Sequence, residues 1–130
     1  MENTENRDDV NINCFNLSND SKTTTIGSLN EMRQSYRHAI NGTTLWGPTV
    51  FTPLFDEMEN YMILMSEHRM YHCLLILTDG CINDLRETVD KIVMCTNYPL
   101  SIIIVGIGDA DFSAMETLDS DEFDLVDGLG

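Results

Sequence analysis

One unbroken apolar segment constrains the fold of this chain more than any other feature. Cys73 to Leu77 are all apolar, and the polar turn Thr78, Asp79 and Gly80 follows directly. A strand with one face in water would alternate apolar and polar residues, whereas this segment is typical of a parallel strand covered by helices on both faces. Ligands of open α/β sheets bind beyond the carboxyl ends of the strands, so Asp79 lies where such a fold carries its chemistry.

A second apolar segment completes a recognisable unit. It runs from Leu100 to Gly106, and the intervening residues place Leu85, Val89 and Ile92 on one face of a predicted helix. A strand, a helix and a second strand form a βαβ unit, in which the two strands are parallel. The sequence therefore predicts an α/β fold with a mostly parallel sheet and helices on both faces.

Two further helices are predicted upstream of this unit. The first begins at Ser28, which forms a capping box with Glu31, and ends at Gly42. The second is capped by Thr52 and has Pro53 in its first turn, where a missing N–H costs nothing. The predicted caps of the two remaining helices are Asp84 and Asp111.

Composition narrows the classes of partner. The 130 residues include 22 acidic side chains against 7 Lys and Arg, for a formal net charge of −15. Nucleic-acid phosphates attract basic residues, so nucleic-acid binding is not expected. No apolar segment approaches the roughly 20 residues of a membrane span, so direct membrane insertion is not expected. The absence of a C-x-x-C pair and of an apolar N-terminal leader favours a reducing, cytoplasmic location.

Three segments resemble the copine family. Leu-Ile-Leu-Thr-Asp-Gly at 75–80, followed by Ile-Asn-Asp at 82–84, is similar to the strand and turn of von Willebrand factor A domains, and more narrowly of copines. Leu-Trp-Gly-Pro-Thr-Val-Phe-Thr-Pro at 45–53 is similar to a copine loop, and 98–116 follows the copine pattern closely. The resemblance covers residues 15–121.

The resemblance implies an incomplete von Willebrand factor A-like, Rossmann-like domain at residues 10–121. A disordered acidic N-terminus at 1–9 and an acidic tail at 122–130 are expected on either side. The family's first strand carries an Asp-x-Ser-x-Ser motif, which is not found upstream of Thr49. That strand would lie beside the one ending at Asp79, so an unpaired apolar edge is expected there. Such an edge invites pairing with another chain, so the chain is predicted to self-associate or to need a partner.

The resemblance also implies a metal site. In A domains, a divalent cation at the carboxyl edge of the sheet is held by the first-strand motif, a loop Thr and the turn Asp. Thr49 corresponds to the loop Thr and Asp79 to the turn Asp, and the cation would be Mg²⁺ or Mn²⁺. Without the first-strand ligands, binding is expected to be weak or absent. The residues alone support another interpretation, in which Asp79 accepts hydrogen bonds from its own turn.

The function implied by the resemblance is non-catalytic protein–protein interaction, with a protein partner still to be identified. Copines are a family of calcium-dependent phospholipid-binding proteins, but their lipid-binding modules have no counterpart in this sequence. A location peripheral to the plasma membrane would therefore depend on family-type partners. No Ser/His/Asp or Cys/His arrangement indicates an enzyme. Two alternatives stay open: the substrate-binding A domain of a copine-like RING ubiquitin ligase, and a truncated product without independent function.

Overall fold

The computed structural model describes residues 14–17, 25–45 and 47–119. The elements are α1 (Leu29–Gly42), α2 (Thr52–Leu64), a 3-10 turn (Ser66–His68), β1 (His72–Thr78), α3 (Leu85–Cys95), β2 (Leu100–Gly106) and α4 (Ser113–Leu118). The chain divides into two compact units, Met1–Gly47 and Pro48–Gly130. The predicted disordered N-terminus at 1–9 and the predicted tail at 122–130 lie outside the described residues.

β1 and β2 form a parallel pair in the second unit. Their register joins His72 to Leu100 at one end and Thr78 to Gly106 at the other. Helix α3 makes the crossover between the two strands. The predicted α/β fold with a parallel sheet is therefore confirmed. Because the strands run in the same direction, both end at one edge, which we call the carboxyl edge of the sheet.

The core of the second unit lies between one face of this sheet and helices α2, α3 and α4. Phe55 of α2 is 0% exposed and Ile76 of β1 is also buried. Burial of each side chain of this size contributes about 1.5–3 kcal/mol to the free energy of unfolding, so a few such residues dominate the stability of a small unit. The other buried apolar residues are Phe51, Met62, Cys95, Met115 and Leu118.

The opposite face of the sheet is apolar but exposed. Leu75 and Leu77 of β1 are 56% and 59% exposed, and Ile103 and Val105 of β2 are also exposed. Side chains on a strand alternate between faces, so an uninterrupted apolar sequence places leucines on both sides of the sheet. Among the described residues of the second unit, helices cover only the face that carries Ile76. Helices were predicted on both faces of the sheet, and among these residues they are found on one face.

Helix α1, in the first unit, begins as predicted. Ser28 is its cap, since the Glu31 backbone N–H donates to the Ser28 hydroxyl at 3.2 Å. The Glu31 carboxylate reaches one residue further back than a standard capping box, and accepts a hydrogen bond from the Gly27 N–H at 2.9 Å. The helix buries none of its residues. Its apolar side chains are exposed, namely Leu29, Met32, Tyr36 and Ile40.

The exposed face and edge of β1 lead to a test of self-association. Within the described residues, β1 pairs only with β2, so its other edge carries no strand. We expect the chain to self-associate at micromolar concentration, and Leu77→Lys to shift it toward monomer in light scattering, because a charged side chain on an exposed strand opposes pairing. Leu77 is exposed, so the free energy of unfolding should change by only about 0.5 kcal/mol.

The matched control is Ile63→Lys, since Ile63 lies on α2 and is also exposed. Both substitutions make the net charge less negative by one unit, so a difference between them cannot come from general repulsion. A monodisperse wild-type monomer, or an equal effect of the two variants, would show that the face and edge of β1 do not mediate association.

Candidate functional site

The turn that ends β1 is closed by its own side chains. The Thr78 hydroxyl accepts a hydrogen bond from the Gly80 N–H at 3.1 Å. The Asp79 carboxylate accepts one from the Cys81 N–H, also at 3.1 Å. Asp79 is exposed, whereas Thr78 and Gly80 are buried. The turn therefore holds its backbone rigid while the Asp79 carboxylate lies at the surface of the carboxyl edge.

Two glycines at this edge make room for Phe112. Gly80 has a φ of 92°, and a Cβ there would lie 2.7 Å from the Asp111 carbonyl oxygen and 2.9 Å from the Phe112 ring. A Cβ on Gly106 would lie 2.5 Å from the same ring. The Ile107 N–H also donates to the Thr78 carbonyl at 2.8 Å. Phe112 thus closes the ends of both strands, and only glycine fits beneath it.

A second loop is bound to the region after the turn. The Thr49 N–H donates to the Asn83 side-chain oxygen at 2.8 Å, and the Asn83 N–H donates to the Thr49 carbonyl at 2.8 Å. This reciprocal pair joins residues 48–52 to residues 79–84, which we call the edge loops. Only the backbone of Thr49 takes part in these two hydrogen bonds, and the residue is exposed.

Asp84 forms the strongest link between the edge loops. Its carboxylate accepts hydrogen bonds from the Phe51 N–H at 2.9 and 3.0 Å, from the Thr52 N–H at 2.8 Å, and from the Thr52 hydroxyl. Partial burial raises the pKa of Asp84, but the hydrogen bonds from Thr52 and Phe51 outweigh it and hold the pKa below its usual range. The ionised carboxylate therefore stabilises the start of α2.

This arrangement corrects two predicted caps. Thr52 does not cap α2, because the helix begins at Thr52 itself and Phe51 precedes it without a side-chain cap. Asp84 precedes α3 but forms no side-chain cap with it. Its carboxylate caps α2 instead, from a loop more than thirty residues away, at a sequence separation of 32 to Thr52. Local sequence favoured the nearest helix, and tertiary contact selected the other one.

Asp111, the predicted cap of α4, lies one residue upstream of the actual cap position. The helix runs from Ser113 to Leu118, and Phe112 occupies the cap position before it. The Asp111 carboxylate accepts a hydrogen bond from the Ser113 N–H at 2.9 Å, and this bond lowers the pKa of Asp111. Asp111 thus orients the segment that carries Phe112 over the two glycines.

The two predicted metal ligands both lie exposed on the edge loops. Thr49 is on one loop and Asp79 on the other. Within the described residues, no group of three His, Cys, Asp or Glu could hold a metal ion. Two side chains fall short of the octahedral oxygen set of Mg²⁺. These residues alone do not form a complete cation site, although Asp79 has a carboxylate of the right chemistry.

The comparison with known families identifies this arrangement. The copine family profile matches residues 5–128. The chain belongs to the copine family. Its α/β architecture, with a parallel pair of strands, is compatible with a partial A-type copine domain. In the part of the chain that the structure describes, none of the helices has the length and apolar character needed to cross a membrane.

Copine relatives extend well beyond this chain. Over 111 residues it is 42% identical to Protein BONZAI 1 of Arabidopsis thaliana, which covers 84% of this chain and 19% of that protein. It is 36% identical over 109 residues to Nicotinic receptor-associated protein 1 of Caenorhabditis elegans, covering 83% of this chain and 17% of the relative. The chain therefore spans less than a fifth of these curated relatives. Neither name denotes an enzymatic activity.

Sequence reasoning missed the roles of three residues that shape the site. Asn83 and Asp84 connect the edge loops, and Phe112 covers the glycines. The only available signal was that Asn83 and Asp84 follow the turn at the edge where functional loops of α/β sheets gather. Their partners at residues 49–52 carry no matching pattern.

The Asp84 link predicts a dependence of stability on pH. Because the pKa of Asp84 is lowered in the folded chain, its contribution is present above the unfolded pKa of about 4 and is lost as pH falls below it. We expect Asp84→Asn to reduce the free energy of unfolding at pH 7 by about 1–3 kcal/mol, since charge-assisted bonds to two N–H groups are lost. Urea unfolding followed by circular dichroism at pH 7 and pH 3 measures this effect.

Asp109→Asn is the control, because Asp109 is exposed on the same edge and has no hydrogen bond among those described. Its effect should stay within about 0.5 kcal/mol at both pH values. The difference between wild type and Asp84→Asn should shrink at pH 3. A difference of the same size at both pH values would mean that the carboxylate charge is not what stabilises α2.

The incomplete ligand set predicts weak binding of divalent cations. We expect isothermal titration with Mn²⁺ to give no dissociation constant tighter than about 10 μM, which corresponds to roughly −7 kcal/mol. Asp79→Asn should abolish any weaker signal, whereas Asp119→Asn should not. Binding tighter than that limit, lost in Asp79→Asn, would require further ligands and would contradict the prediction.

Proposed function

We propose that this copine segment is a non-catalytic protein-interaction module that binds its partner at the carboxyl edge of the sheet. The main support is the combination of rigid backbone and exposed side chains on the edge loops. Thr49 and Asp79 are exposed, while hydrogen bonds to Asn83 and within the turn fix the backbone of both. A preorganised surface loses little conformational entropy when it binds.

The charge of the chain suggests the chemistry of the partner. A net charge of −15 favours a basic partner surface, because complementary charge raises the rate of association. The name of one relative, Nicotinic receptor-associated protein 1, associates that protein with a receptor and is in keeping with a protein partner. Cys73, Cys81 and Cys95 form no disulfide, which is in keeping with a cytoplasmic location. Mg²⁺ or Mn²⁺ would add to this surface only weakly.

Affinity capture with the intact chain tests the proposal. Wild type, the double variant Thr49→Ala with Asp79→Asn, and the control Asp119→Asn would be coupled to beads and exposed to one cell extract, with retained proteins quantified by mass spectrometry. We expect proteins that wild type and control retain equally and that the double variant retains about tenfold less, the effect of losing one charge-assisted contact. Equal retention by all three variants would overturn the proposal.

The same protein preparations also test lipid binding, which is the alternative to protein interaction. Calcium-dependent phospholipid binding is a property of the family, but the acidic chain should be repelled by anionic headgroups. We expect no calcium-dependent co-sedimentation with phosphatidylserine vesicles. If co-sedimentation occurs and requires calcium, the proposed protein interaction is wrong and lipid binding is the function of this segment.

A further inference from the structure

A cavity lies at the end of the sheet opposite to the edge loops. Its volume is about 400 Å³, and its lining includes His72, which begins β1, and Pro99, which precedes β2. The Thr49 and Asp79 surface is at the other ends of the strands. The cavity is therefore separate from the proposed protein-interaction surface, and its lining contains neither Thr49 nor Asp79.

The lining of the cavity is mostly apolar. Met62, Met65 and Met70 line it together with Tyr98 and Pro99. Methionine side chains are flexible and polarisable, so they adapt to apolar ligands of different shape. Protein cavities that hold small ligands have volumes of about 300–1,000 Å³, and they combine apolar walls with a few polar groups. This cavity fits the lower part of that range.

The charge of the lining is opposite to that of the chain. Acidic residues outnumber Lys and Arg by 22 to 7 in the whole sequence, yet no acidic residue lines the cavity and Arg69 does. The described ion pairs involve only Lys91, Asp56 and Glu59, so Arg69 has no acidic partner among the described residues. A cation beside an apolar wall is suited to an anionic group on an apolar ligand.

The backbone at Arg69 is unusual as well. Its φ is 48° and its ψ is 41°, and it is the one non-glycine residue with positive φ in the part of the chain that the structure describes. Glycine or asparagine adopts this left-handed conformation more readily. Residues held in such conformations are concentrated at functional sites. Arg69 therefore occupies a position where glycine or asparagine would be less strained.

We propose that this cavity binds a small carboxylate with an apolar body, with Arg69 as the counter-charge and the methionines as the apolar wall. The carboxylate can belong to a free aliphatic or aromatic acid, or to the C-terminus of a peptide that ends in an apolar residue. Both sources present the same chemistry to the cavity. A planar guanidinium binds a carboxylate through two parallel hydrogen bonds, which makes the charge of the ligand decisive for affinity.

Titration of the full chain with octanoate tests the charge requirement. Backbone amide shifts in NMR spectra should change in a saturable way at residues 66–72 and at Tyr98, and 1-octanol should bind about tenfold more weakly or not at all, a difference of about 1.4 kcal/mol. Equal affinity for octanoate and 1-octanol, or no saturable shift up to about 10 mM octanoate, a limit weaker than about −3 kcal/mol, would overturn the proposal.

Arg69→Asn tests the role of the cation without sacrificing the fold. Asparagine accepts the left-handed backbone, so the melting temperature should equal or exceed that of the parent chain. Octanoate should bind this variant about tenfold more weakly, and Arg69→Lys should restore part of the affinity. If Arg69→Asn does not fold, Arg69→Gly takes its place. The matched control is Arg86→Gln, which removes an exposed cation from α3 outside the cavity lining.

A comparison of peptides with octanoate separates the two sources of the ligand. A short peptide ending in leucine with a free carboxylate would be compared with its C-terminal amide. Stronger binding of the free-acid peptide than of octanoate assigns the cavity to chain termini, and the reverse order assigns it to free acids. Affinity for octanoate that is unchanged in both Arg69→Asn and Arg86→Gln would show that Arg69 is not the counter-charge, and would overturn the proposal.

Discussion

The carboxylate of Asp84 is the interaction on which the second unit of this copine chain depends. It accepts hydrogen bonds from the Phe51 and Thr52 N–H groups, which have no partner inside α2. The same residue immediately precedes α3. One side chain therefore satisfies the start of one helix and fixes the position of the next. Because α2 and α3 both pack on the face of the sheet that carries Ile76, this link also positions the core.

The candidate site follows from that constraint. Once Asp84 holds residues 51–52, the neighbouring Asn83 can exchange two hydrogen bonds with Thr49. The exposed side chains of Thr49 and Asp79 then occupy loops whose backbone cannot easily move. Phe112 contributes from the other strand, since its ring covers Gly80 and Gly106. Within the described residues, this geometry fixes the backbone of the loops and supplies too few oxygen ligands for tight binding of Mg²⁺.

The two ends of the sheet differ in chemistry. The carboxyl edge has exposed polar side chains within a strongly acidic chain, whereas the cavity at the other end has methionines, aromatic residues and one arginine. No acidic residue lines the cavity, and it shares no residue with the edge loops, so the two proposed sites can be tested with separate variants.

Sequence by itself determined the elements whose signals are local. The apolar segments at β1 and β2, the capping pair Ser28 and Glu31, and the placement of Asp79 in a turn at the carboxyl edge all follow from residues close together in the chain. Hydrophobic periodicity and side-chain capping act over one or two turns, so they are visible without a structure. The family resemblance added Thr49 to the site, and both predicted ligands do lie on the edge loops.

Only the tertiary structure decided which groups meet across the chain. Asp84 could satisfy the N–H groups of either helix, and sequence favours α3 because it follows directly; the folded chain assigns the carboxylate to Phe51 and Thr52. The apolar pattern of β1 is the same whether one face or both are covered, so sequence could not show that Leu75 and Leu77 are exposed. The cavity beside Arg69 also combines residues from separate segments. In each case the outcome depends on packing between distant segments, for which local sequence carries no signal.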